Sequence, residues 1–148
     1  MSIEHTDKQG DIDHRQEPHR YRVGRGEKGV MNVEPYKSEL LPYWRFKTSG
    51  AARTSSENIY QLFLDYKEQD DFVGMDMARK FLQMGYTRAK RYAKYPGGKK
   101  YNKDGTIRRT DFDPEKEEAA AVCEKKWKIV REDPEYLSRK KAHQKAYG

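Results

Sequence analysis

The stretch GMDMARKFLQMGYTRAKRYAKYPGGKKY (Gly74 to Tyr101) lays a run of positive charge beside one apolar stripe. Met75, Ala78, Leu82, Gly85, Ala89, Tyr92 and Ala93 recur at three- and four-residue steps, with Phe81 at the edge. That period predicts an amphipathic helix from Asp71 to Lys94 with its apolar side on a core. Lys80, Gln83, Thr87, Lys90, Arg91 and Lys94 fall on the opposite side and predict a basic ridge. Gly85 lowers helix propensity by about 1 kcal/mol relative to Ala, so it predicts close approach of another backbone or a bend.

Upstream, TSSENIYQLFLDYKEQ (Thr54 to Gln69) opens with the spacing of a capping box, Thr54 to Glu57, and then places Ile59, Leu62, Phe63 and Tyr66 on one face. The link QDD (residues 69 to 71) is so short that the two helices are expected to form an antiparallel hairpin. Before them, VMNV (Val30 to Val33) alternates like a short strand. EPYKSELLPYWRF (Glu34 to Phe46) clusters aromatic and leucine side chains around two prolines, which predicts an apolar arm packed on the helices. Downstream, Asp104-Gly105 inside KKYNKDGTIRR predicts the turn of a short β-ribbon. Asp113-Pro114 and Asp133-Pro134 each carry an N-cap followed by proline at the first helical position. They predict two further helices, the first burying Ala119, Val122, Cys123, Trp127 and Val130.

Residues 1 to 20 offer only Met1, Ile3 and Ile12 for burial, which points to a disordered polar tail ahead of a single mainly helical domain over 21–148. The chain of 148 residues fits one domain, and 37% charged residues imply a small core under a large polar surface. Aromatic residues at 12% nonetheless argue for a packed domain over a wholly disordered chain. With Cys123 as the sole cysteine, no internal disulfide can form, and apolar helix spacing reads it as a small buried hydrophobe. No apolar run reaches the ~18 residues of a membrane span and no signal-peptide core opens the chain, so the expected setting is cytoplasmic.

Net charge is +7, but its distribution carries more information. From Arg79 to Arg109 there are eleven basic residues and one acid, Asp104, so this segment holds +10 and the remainder −3. Concentrated charge of one sign focuses the field on polyanionic ligands. With Tyr86, Tyr92, Tyr95 and Tyr101 interleaved, the pattern suits phosphate neutralisation and base stacking. The residues expected to contact nucleic acid are Arg79, Lys80, Arg88, Lys90, Arg91, Lys94, Lys99, Lys100, Arg108 and Arg109. The rival expectation is an interaction or structural protein whose basic face meets an acidic protein partner.

Enzymatic patterns are sparse. GRGEKG (Gly24 to Gly29) has the spacing of a phosphate loop but lacks the strand before and helix after that such a loop needs. Lys100 to Asp111 imitates a calcium loop with a lysine at its first ligand position, which sets a cation against the metal. His5, His14 and His19 lie in the polar tail without cysteine partners, and His143 sits in a basic segment. Asp70, Asp71 and Asp76 gather where negative charge favours a helix N-terminus, although a metal-assisted nuclease would also use such carboxylates. No catalytic residue, metal or cofactor is assigned on these grounds. An enclosed pocket joining Trp44 to Asp71 and Asp76 would reopen an enzymatic reading.

RGEKGVMNVEPYKSELLPYWRFKT and DDFVGMDMARKFLQMGYTRAKRYA together resemble an uncharacterised family of bacteria and their phages known as domain of unknown function 4385. The resemblance spans about residues 21 to 101. It implies a cytoplasmic protein of bacterial or phage origin and carries no activity with it.

Overall fold

The computed structural model describes residues 12–24, 30–95, 103–105 and 113–148. Among them the architecture is mainly helical: α1 (Tyr36–Leu40), α2 (Ser49–Glu68), α3 (Phe72–Lys94), α4 (Pro114–Arg131) and α5 (Pro134–Tyr147). Central α3 packs against each of the other four.

The proline-led starts form as the sequence predicts. Asp113 accepts from the amides of Glu115 and Lys116, and Asp133 from those of Glu135 and Tyr136, so each side chain satisfies two orphan donors. Asp71 caps α3 by accepting from Gly74 N. The α2 start is a correction, because the cap is Thr48, whose hydroxyl accepts from Ala51 N, and Thr54 lies inside the helix. Nothing between Ser49 and Arg53 breaks a helix once Thr48 has capped it, so the Thr54–Glu57 spacing goes unused.

Helix α2 turns back into α3 through Asp70, whose φ of 57° is tolerable for an aspartate. At the open end of this hairpin, Ala52 of α2 and Ala89 of α3 meet Ala119, Ala120 and Cys123 of α4. Small side chains let the three helices approach closely. Gly85 belongs to the same seam: a Cβ there would lie 3.1 Å from Cys123 Sγ and 3.3 Å from Trp44 Nε1, so side chains, not a backbone, need the space. Burial pushes the Cys123 thiol up to about 11, which keeps it an inert hydrophobe.

The larger core lies at the closed end, where Ile59, Phe63 and Tyr66 of α2 and Met75, Ala78, Phe81 and Leu82 of α3 pack with Val130 and Tyr136. The N-terminal segment covers it with Tyr21, Val23, Val30, Val33, Tyr36 and Leu40. Two expectations for this segment are corrected. Val30–Asn32 is a 3-10 turn and not a strand: Val30 and Val33, three apart, share the buried side of the turn. Residues 12–20, expected in the disordered tail, pack onto the fold: Ile12 and His14 are buried and Arg15 forms a bidentate pair with Glu39 at 2.7 Å. Of the ribbon, only the turn around Gly105 lies among the described residues, which contain no strand. The proposed ribbon strands, and most of the calcium-like and glycine-rich motifs, lie outside them.

Candidate functional site

Helix α3 carries two charge systems in succession. The first centres on Asp76, which sits at 0% exposure with Lys80 at 1% and Arg79 at 5%. Tyr21 donates its hydroxyl to Asp76 Oδ2 and Tyr136 donates to Oδ1 at 2.5 Å. Arg79 adds Nη2 at 2.7 Å and Nε at 3.1 Å to Oδ1, and its Nη1 donates to Gln83 Oε1 at 2.9 Å. Lys80 Nζ stands 3.9 Å from Oδ2 and 4.9 Å from the centre of the Tyr21 ring. A carboxylate stripped of water is costly unless its lone pairs are filled, and here two hydroxyls and a guanidinium fill them. Burial lowers Lys80 to about 8, with the Asp76 charge opposing the drop. Burial also raises the Tyr21 and Tyr136 hydroxyls, reinforced by the same carboxylate, so both stay protonated donors.

This overturns one part of the basic ridge. Arg79 and Lys80, both expected to contact nucleic acid and Lys80 placed on the ridge by helical spacing, are instead core residues paired with Asp76. Two distant segments close over their side of α3: Tyr21 from the N-terminal arm and Tyr136 from α5.

The second system occupies the last two turns, where Arg88, Lys90, Arg91 and Lys94 are exposed. The Arg88 guanidinium lies 5.4 Å over the Trp44 ring, and Lys90 Nζ is 3.8 Å from Glu117 Oε2. Tyr92, read as part of the apolar stripe, is exposed at 36% and stacks on Phe46. Lys99, Lys100, Arg108 and Arg109 lie outside the described residues.

The remaining sequence candidates have structural partners. Trp44 donates its indole N–H to Phe81 O at 3.0 Å and packs edge-on against the Phe81 ring. Asp71 accepts from the Tyr36 hydroxyl at 2.7 Å besides capping α3, so it shares no pocket chemistry with Asp76. His143 Nε2 lies 2.7 Å from Tyr21 O, and His14 is buried with Nδ1 3.3 Å from Glu34 O. Among the described residues no group of three or more His, Cys, Asp or Glu could hold a metal ion. No helix of the described residues is long and apolar enough to cross a membrane.

Sequence reasoning missed a cleft of about 450 Å³ beside the Asp76 network, lined by Arg79, Gln83, Trp127, Arg131, Tyr136 and Lys140 with Gly24 and Gln144 at its edges. The Trp127 and Arg131 pair is legible as an i, i+4 contact, and the Arg131 guanidinium indeed lies 4.3 Å over the indole. Their meeting with Arg79 and Lys140 depends on how α3, α4 and α5 pack.

A family model matches residues 4–146. The chain belongs to that family, described as Domain of unknown function (DUF4385). The match extends the resemblance seen over residues 21 to 101 to nearly the whole chain, so the Asp76 network, the exposed end of α3 and the cleft all fall inside the family's extent. No curated protein and no solved structure matches the chain.

Proposed function

We propose that the protein binds nucleic acid through its phosphate backbone, without enzymatic chemistry, using the exposed end of α3. The observation that carries this reading is the solvent-facing set Arg88, Lys90, Arg91 and Lys94, arranged around Ala89 and Ala93, which are buried. Four cations on two turns present a line of donors that a strand of phosphates can follow, and Tyr92 and Tyr95 lie among them. Lys99, Lys100, Arg108 and Arg109 join the same surface in this reading by their place in the sequence. Arg79 and Lys80 do not.

Fluorescence anisotropy with single- and double-stranded DNA and RNA tests it. Phosphate contacts from the four α3 cations alone predict an affinity that drops at least roughly a hundredfold between about 50 and 200 mM salt. Lys90→Glu with Arg91→Glu should remove most of the binding and flatten the salt dependence while the fold persists. Absence of binding at the lower salt rejects this reading and leaves an acidic protein partner, to be sought by co-purification after nuclease treatment.

A further inference from the structure

We propose that the exposed end of α3 takes single-stranded nucleic acid, with unpaired bases stacking along a strip formed by Arg88, Trp44, Phe46 and Tyr92. This rests on the phosphate-binding reading above and names the form of nucleic acid that suits the same surface. Arg88 and Tyr92 stand about one turn apart on α3 and so share a side of the helix. The segment after Tyr43 leaves its 3-10 turn in extended backbone at Trp44. Residues two apart on an extended chain point the same way, and the rings of Trp44 and Phe46 both reach α3. The resulting strip is continuous. The Arg88 guanidinium lies 5.4 Å over the Trp44 ring, the Trp44 and Phe46 rings are 4.9 Å apart, and Phe46 lies 6.3 Å from Tyr92 with 21° between the ring planes.

The strip is anchored in the fold and still wet. Trp44 packs against the larger core and its indole N–H is bonded to Phe81 O, while Phe46 packs against the alanine seam. Rings held in this way lose little freedom when a base arrives. None of the four is fully enclosed: Trp44 and Phe46 are half-buried, Arg88 is exposed and Tyr92 keeps 36% of its surface in solvent. Aromatic area in water beside a cation suits unpaired bases, which stack on rings and on guanidinium planes alike. A duplex keeps its base faces inside the stack and shows only edges and phosphates, so it would use the cations and leave the rings wet. The other side of this helix end offers less to a base. There Lys90 meets Glu117 at 3.8 Å and lies 5.9 Å over the Tyr86 ring, which is already stacked on Trp127.

Anisotropy titrations of the full chain with a single strand, a duplex and an abasic single strand of equal length test it. The normal strand should bind about tenfold or more tighter than the abasic one, because the phosphates are the same and only stacking differs. It should also outbind the duplex at about 200 mM salt, where phosphate contacts have weakened. Tyr92→Ala should cost the normal strand about tenfold and leave the duplex, the abasic strand and the salt dependence unchanged, since no charge is lost. Tyr92 is exposed, so its truncation spares the fold, and the abasic comparison needs no variant at all. Lys90→Glu with Arg91→Glu should weaken all three. Equal affinity for normal and abasic strands, or a single-strand affinity untouched by Tyr92→Ala, overturns this proposal and leaves the phosphate reading standing. Binding of none of the three at about 50 mM salt rejects that reading, and this proposal with it.

Discussion

Both halves of α3 carry cations, two in the first and four in the second, and treat them in opposite ways. From Phe72 to Phe81 every residue is buried, including Asp76, Arg79 and Lys80, whereas from Thr87 to Lys94 only Ala89 and Ala93 are. The difference is not in the helix but in its cover. The first half is enclosed by α2, α5 and the N-terminal arm, so its charges must be neutralised in place, while the second half meets α4 along a strip of alanines and leaves its long side chains in water. Basic residues in a run are therefore not one surface until each has been asked what lies above it.

The comparison breaks most sharply at Asp76. Asp76→Ala leaves Arg79 and Lys80 buried without their carboxylate and should cost about 3–5 kcal/mol, read as a lowered denaturation midpoint. An equally stable variant would mean that the first half is wetter than its burial indicates. Next in size is Gly74→Ala, where the new Cβ runs into the ring of Tyr66, itself buried and hydrogen-bonded to Glu39. Overpacking of this kind should cost about 1–3 kcal/mol in chemical denaturation, despite the better helix propensity of alanine.

Lys80 sharpens the contrast through pH. Its ordinary value of 10.5 applies to the unfolded chain and about 8 to the folded one. Between those values the unfolded chain keeps a proton that the folded chain has released, so this group makes stability rise with pH. The Cys123 thiol, pushed up to about 11 from 9.0, opposes it above pH 9. The clean window is thus pH 8 to 9, where stability should climb by about 1 kcal/mol and Lys80→Met should flatten the rise. Smallest is the effect expected on the exposed half: Lys90→Glu with Arg91→Glu should shift stability by no more than about 0.5 kcal/mol per site. A larger loss would show that these side chains hold the fold.

Much of the helix plan was legible because its signals are local. Asp71, Asp113 and Asp133 cap the helices that follow them, and the apolar steps of α3 and α4 are buried or half-buried except for Tyr92, which is exposed. The Thr54 box misled because a spacing cannot tell whether an earlier cap, Thr48, has already begun the helix. Helical periodicity also put Lys80 opposite the core stripe, which is correct for a two-helix view and wrong once Tyr21 and Tyr136 close over that face. Partners 55 and 60 residues from Asp76 leave no mark at helical spacing. The cleft was hidden for the same reason, since its cations come from three helices.

The hydroxyl of Tyr136 has a consequence for how the chain is made. During synthesis Asp76 leaves the ribosome long before α5 does, so the emerging hairpin carries a carboxylate short of one donor. Domains close as units when their last element arrives, and here that element also anchors Tyr21 through His143. A nascent chain halted before residue 136 would therefore hold both its amino-terminal arm and its central helix unfinished, and surveillance by proteases should find it there.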